Sequence, residues 1–233
     1  MNKFILTIFV ILCVLIVVVF ATLLKINNII EGYIARKIVH ISVGIIALLF
    51  LKYYGNDSYS YIWASSPTFI FSIVFYIMGS IKNNNLLSKL LTLSTCRTDC
   101  SSEMKKGPFI YCLIMTILIY NYYIYNPASI IGMNCIILGD GLAEIIGKKF
   151  MSKDLFNFWG QKKTVFGCLT VFFASFFGSL FFCYYIFGNY YIIRCLFGSL
   201  IGMITEFMSP PGLDNFFIPL PYIFIDFLFF SDS

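Results

Sequence analysis

The chain has 233 residues, 60% hydrophobic and 12% charged, with a mean hydropathy of +0.88 and a net charge of +5. These values exclude an ordinary soluble domain and describe a polytopic membrane protein. Because the basic residues sit in short segments between apolar runs, the positive charge reports membrane topology and implies no nucleic-acid partner.

Phe4 to Leu24 form a 21-residue apolar run, too long for a signal-peptide core, and read as a retained first span. The hydropathy pattern predicts further spans near 38–54, 59–81, 108–125, 127–147, 165–187, 190–208 and 216–230. Pro108 and Pro127 each open an apolar run, where a missing N–H is tolerated, and Pro210-Pro211-Gly212 ends the seventh span in an irregular turn. The expected fold is all-α, a transmembrane helical bundle of about seven to eight spans. Residues 1–233 are expected to form a single integral membrane domain, with 1–25 as an additional N-terminal span. With a non-cytosolic N-terminus, the segments 25–37, 82–106 and 148–163 carry 3, 5 and 5 basic residues, against Lys3, Lys52 and Arg194 on the other side. That division obeys the positive-inside rule and puts nearly every polar cluster on the cytosolic face. The eight cysteines, mostly inside apolar segments and without zinc-site spacing, read as small packing residues.

Two stretches concentrate the polar chemistry, LGDGLAEIIGKK from Leu138 to Lys149 and GQKKTVFG from Gly160 to Gly167. On a helix, Asp140 and Glu144 project from one face of an apolar segment, where an ionised carboxylate costs roughly 2.5–3.5 kcal/mol on insertion scales and is expected to carry a function. Pairing with Lys148 or Lys149 is the structural alternative. Gly139, Gly141 and Gly147 leave the backbone open beside the acids. Lys148, Lys149, Lys153, Lys162 and Lys163 follow. Acids able to hold Mg²⁺ beside lysines able to neutralise phosphate suggest a nucleotide site.

Three further clusters fit the same chemistry, each with a plainer alternative. In ARKIVHISVG, Arg36, Lys37 and His40 suit phosphate binding or proton transfer, or else anchor a helix end. In CRTDCSSEMKKGPFIY, Arg97, Lys105 and Lys106 extend a phosphate surface or form a solvated loop with Glu103. Glu206, Asp214 and Asn215 flank the double-proline break, and broken helices at membrane depth line ligand cavities. Asp226 is set aside as lacking such neighbours.

ARKIVH, the Glu103-x3-Gly-Pro-x2-Tyr stretch, GDGLAEIIGKKF, KKTVFG and the late Glu-x7-Asp-Asn, in this order, resemble the phytol and farnesol kinase family. These are CTP-dependent polyprenol kinases, more distantly similar to dolichol kinase and phosphatidate cytidylyltransferase. The resemblance runs from about Arg36 to Pro219, giving a kinase-like core over 36–219. It implies an integral membrane enzyme that transfers the terminal phosphate of CTP, or another nucleoside triphosphate, to an isoprenoid alcohol such as phytol, farnesol or geranylgeraniol. In that pattern Asp140, Glu144 and Asp214 hold Mg²⁺. Arg36, Lys37, Gly139, Gly141, Glu144, Lys162, Lys163 and Asn215 bind the nucleotide, while His40 and Asp214 are candidates for taking the alcohol proton. Phe166 stands where some members carry an acid, and Met151 where some carry glycine. The implied setting is the lipid bilayer of the endoplasmic reticulum, with the site on its cytosolic face, or a plastid membrane. A cytidylyltransferase forming a CDP-lipid and, from a different class, a transporter are the competing readings.

Overall fold

The computed structural model describes residues 2–80, 86–97, 100–125, 127–150, 154–158, 161–210 and 212–230, the side chains of 124–125, 154–158 and 161–162 excepted. The chain divides into two compact units, Met1–Tyr120 and Asn121–Ser233.

In the first unit, helix α1 (Lys3–Ile26) starts at Asn2, whose side chain accepts the Phe4 N–H at 3.0 Å. Its buried stripe is Leu6, Val10, Val14, Val18 and Ala21, spaced for one helical face, while Ile5, Phe9, Leu12, Ile16 and Phe20 point outward. Lys3 binds Asp57 and the Ser60 hydroxyl, and the ammonium holds the Asp57 carboxyl below the usual carboxylate range. Helix α2 (Gly32–Leu51) packs on α1. Helix α3 (Ser60–Ser80) carries Pro67, which cannot donate to the carbonyl of Trp63. That carbonyl instead accepts the hydroxyls of Ser66 at 2.8 Å and Thr7 at 3.4 Å, so side chains from two helices repair the break. A short helix α4 (Leu86–Thr95) lies on α1 and α2. A 3₁₀ turn, Ser101–Lys105, buries Met104 and closes on the end of α3, where a Cβ on Gly79 would meet Lys105 at 2.8 Å. The segment expected as a cytosolic loop at 82–106 thus contains a helix and an anchored turn. Helix α5 (Gly107–Tyr125) follows.

The second unit is built on one 23-residue apolar stretch, Pro127–Lys149. It comprises helix α6 (Pro127–Asn134), a π-helical turn (Cys135–Asp140) and helix α7 (Gly141–Lys149). An antiparallel hairpin then pairs β1 (Asp154–Phe158) with β2 (Gln161–Thr164), with a bulge between Asp154 and Phe156. It is the one departure from the all-helical expectation among the described residues, and it falls where aromatic residues alternate around a two-residue link ending in Gly160. Thr164 caps helix α8 (Val165–Phe187) by accepting the Gly167 N–H at 3.1 Å. Helix α9 (Ile192–Met208), the single turn α10 (Asp214–Phe217) and α11 (Leu220–Phe230) complete the unit.

Small residues set the approach of these helices. A Cβ on Gly139 would meet Val171 at 3.2 Å, and one on Gly147 would meet Thr164 Oγ1 at 2.9 Å, so α8 runs antiparallel to the π turn and α7 at very short range. On α9, Gly198 faces Ile131 and Tyr222, and a Cβ on Gly202 would meet Cys135 Sγ at 2.8 Å. At one end of α9, Arg194 donates to Phe230 O at 2.7 Å and stands 3.9 Å from Asp226, which accepts the Tyr222 hydroxyl at 2.9 Å. Asp226, set aside in the sequence, is therefore a buried counter-charge that ties α11 to α9.

Among the described residues, five helical stretches are long and apolar enough to cross a membrane: Lys3–Ile26, Gly32–Tyr54, Ser60–Ser80, Pro127–Lys149 and Val165–Phe187. The chain is a membrane protein. The remaining expected spans coincide with α5, with the 17-residue α9 and with the broken α10 and α11.

Candidate functional site

The polar residues of the second unit converge where α9 ends. A π turn closes i→i+5, so residues five apart come onto nearly one side, and Asp140 follows Cys135 in this way. Cys135 faces Gly202 of α9, and Glu206 lies one helical turn beyond Gly202. Asp140 and Glu206 are both buried, and Asp140 and Asp214 each lie close enough to Glu206 to repel its charge. Gly139, adjacent to Asp140, faces α8 instead, where the absence of a side chain serves helix contact. Gly141 is buried at the start of α7.

Lys163 supplies the counter-charge. Its ammonium binds the Glu206 carboxylate and donates to the Glu206 carbonyl at 3.2 Å, which fastens strand β2 to the end of α9. The same carbonyl accepts the Ser209 hydroxyl at 2.8 Å, so one of the carbonyls left free at the helix terminus before the double proline is satisfied. Thr205 Oγ1 donates to Ile218 O at 3.2 Å and holds the broken segment that presents Asp214 and Asn215. Asp214 accepts the Asn215 N–H at 3.1 Å, and α10 packs on the π turn. The side-chain oxygen of Asn215 is buried without a hydrogen-bond partner among the described residues. An orphan acceptor of this kind is costly unless a water or ligand donates to it.

Glu144 is bound to Lys148 at 3.0 Å across one helical turn, which is the structural alternative anticipated for it. Lys162 pairs with Asn157 in the hairpin, and its side chain lies outside the described residues, as does Lys153. Arg36, Lys37 and His40 belong to the first unit. There Lys37 is only 2% exposed, and the His40 ring lies 4.1 Å from the Tyr111 ring, whose hydroxyl donates to His40 O at 2.8 Å. Glu103 accepts the Arg97 N–H at 2.7 Å, so two residues of the sequence pattern, Glu103 and Tyr111, hold contacts within that unit.

The chain is 26% identical over 216 residues to phytol kinase 1, chloroplastic, of Arabidopsis thaliana, covering 88% of this chain and 69% of that protein. It is 24% identical over 223 residues to a probable chloroplastic phytol kinase of Zea mays, with coverage of 89% and 70%. A probable phytol kinase 2 of Glycine max is 25% identical over the same length. This chain is related to the phytol kinases. At that coverage the similarity extends over both units. No protein-family model matches the chain, and no solved structure matches it.

Among the described residues, no three His, Cys, Asp or Glu side chains gather tightly enough to hold a metal ion unaided. Mg²⁺ requires only one or two carboxylates when phosphate oxygens and water complete its shell. Asp140 and Asp214 are hard oxygen donors of the kind such an ion takes.

Proposed function

We propose that this protein is a membrane-embedded lipid-alcohol kinase that transfers the terminal phosphoryl group of CTP, or another nucleoside triphosphate, to the hydroxyl of an isoprenoid alcohol. The observation that carries this reading is the convergence of Asp140, Lys163, Glu206, Asp214 and Asn215 at one end of the second unit, in a chain related to phytol kinases. Phosphoryl transfer calls for positioning and charge neutralisation rather than covalent help from the protein. Asp140 and Asp214 would hold Mg²⁺, which supplies positive charge across the phosphate oxygens. Lys163 and Lys162 offset the remaining charge, with Glu144 as a supporting residue. The alcohol oxygen bonds to the terminal phosphorus, the bridging bond to CDP breaks, and Asp214 takes the alcohol proton. The alcohol's tail lies among the apolar helices. The apolar cleft lined by Val10, Val14, Val43, Ala47 and Phe71, about 20 Å³, is too small to hold it, so other helix surfaces serve. The setting proposed is the endoplasmic reticulum or a plastid membrane, with the site on the side where the basic segments lie.

The test uses full-length protein in detergent with Mg²⁺, γ-³²P-CTP and, separately, phytol, farnesol, geranylgeraniol and a dolichol. Label is expected in a lipid monophosphate and is expected to vanish in a folded Asp140→Asn variant. Full activity in that variant would remove the central assignment. Incorporation of α-labelled CTP into phosphatidic acid with release of pyrophosphate would instead make the protein a cytidylyltransferase.

A further inference from the structure

Helix α4 has its polarity reversed. All four of its hydroxyl residues, Ser88, Thr92, Ser94 and Thr95, are buried against the rest of the first unit. The outward face is the exposed Leu86 and Leu87 with the half-buried Leu90 and Leu93, around the single cation Lys89, and Leu86 is 75% exposed. A helix at a water boundary shows the opposite arrangement. Three of the inward hydroxyls bond within the helix itself. Thr92 donates to Ser88 O at 2.7 Å, Ser94 to Leu90 O at 2.8 Å and Thr95 to Leu91 O at 2.6 Å.

The carbonyls near the end of α4 are likewise satisfied by protein rather than water. Thr22 Oγ1 donates to Leu90 O at 3.2 Å, and Lys25 Nζ donates to Leu93 O at 3.0 Å. Both donors come from the last turns of α1, a candidate membrane span whose outward residues there, Leu23 and Ile26, are exposed and apolar. The leucine face of α4 thus continues the lipid-facing surface of α1.

We infer that α4 is immersed in one leaflet of the bilayer, its four outward leucines against acyl chains and the Lys89 ammonium reaching toward the headgroups. The occupant of this face is lipid, because hydrocarbon is the surrounding that favours an apolar exterior with internally satisfied polar groups. At 1.5 Å per residue, ten residues reach about 15 Å, half of the roughly 30 Å hydrocarbon core, so α4 enters the membrane without crossing it. The crossings behind the charge distribution are unaffected. What the charge pattern marks as a cytosolic loop contains a membrane-buried half-helix with a snorkelling lysine.

The experiment places one tryptophan on this face, Leu86→Trp or Leu90→Trp, in full-length protein whose Trp63 and Trp159 are replaced by Phe. The variants are reconstituted in phosphatidylcholine vesicles with and without dibrominated acyl chains. Both positions are expected to lose roughly twofold or more of their emission to the brominated lipid and to resist aqueous acrylamide, as a residue within the hydrocarbon would. Quenching by acrylamide but not by bromine would put the face in water. Blue-shifted emission insensitive to both quenchers would mean that protein covers it. Either result overturns the inference.

Discussion

At the scale of single residues, the most consequential feature is the pairing of Lys163 with Glu206, which adjacency in sequence does not suggest, since 43 positions separate them. A buried carboxylate beside two others is tolerable only with its cation. Lys163→Met is therefore expected to cost on the order of 3 kcal/mol, because it strands Glu206 beside Asp140 and Asp214. Lys163→Met with Glu206→Met is expected to recover most of the thermal stability in detergent while phosphoryl transfer stays lost. A double variant as unstable as the single one would show that the pair is not what holds β2 to α9. In the sequence Lys163 stood out as part of a basic stretch suited to phosphate, and Glu206 as an acid beside the double-proline break. Their partnership was invisible because it depends on how α9 and the hairpin meet.

At the scale of elements, α7 and α8 approach through Gly147, Thr164 and Gly167. The Thr164 hydroxyl both caps α8 and occupies the space where a Gly147 side chain would go. Gly147→Ala should push that hydroxyl off the Gly167 N–H, at a cost of about 1 kcal/mol, near that of losing the cap outright in Thr164→Ala. Because one atom is responsible for both effects, the double variant is expected to cost clearly less than the sum of the two, measured by thermal or denaturant unfolding. Strict additivity would mean that the contact does not constrain the pair. Sequence periodicity placed the helix containing Asp140 correctly but not its π turn. That turn is a packing solution, in which Gly139 turns to α8 while Asp140 turns toward α9, and no local propensity encodes it.

At the scale of the whole molecule, the membrane nature of the chain was legible from hydropathy alone, because runs of helix-spanning apolar residues have few other stable surroundings. The charge count also predicts sidedness. Asn189 precedes α9 and Gly212 follows it, so single cysteines at these two positions, in a chain freed of its native cysteines, are expected to react with an impermeant maleimide from opposite sides of sealed vesicles. Labelling of both from one side would remove α9 from the set of spans.

What the sequence determined by itself was therefore composition-driven and local: a helical membrane protein, the acids at 140, 206 and 214, the lysine at 163, and the resemblance that links them to phytol kinases. Tertiary structure alone decided which of these meet. It brought Glu206 to Lys163, left Glu144 with Lys148, set Asp226 opposite Arg194 and turned the leucines of α4 outward. The physical reason is that the cost of a charge in an apolar segment is a property of the residue and its neighbours in sequence. The partner that offsets that cost is chosen by helix packing, and small residues far apart along the chain set how closely those helices approach.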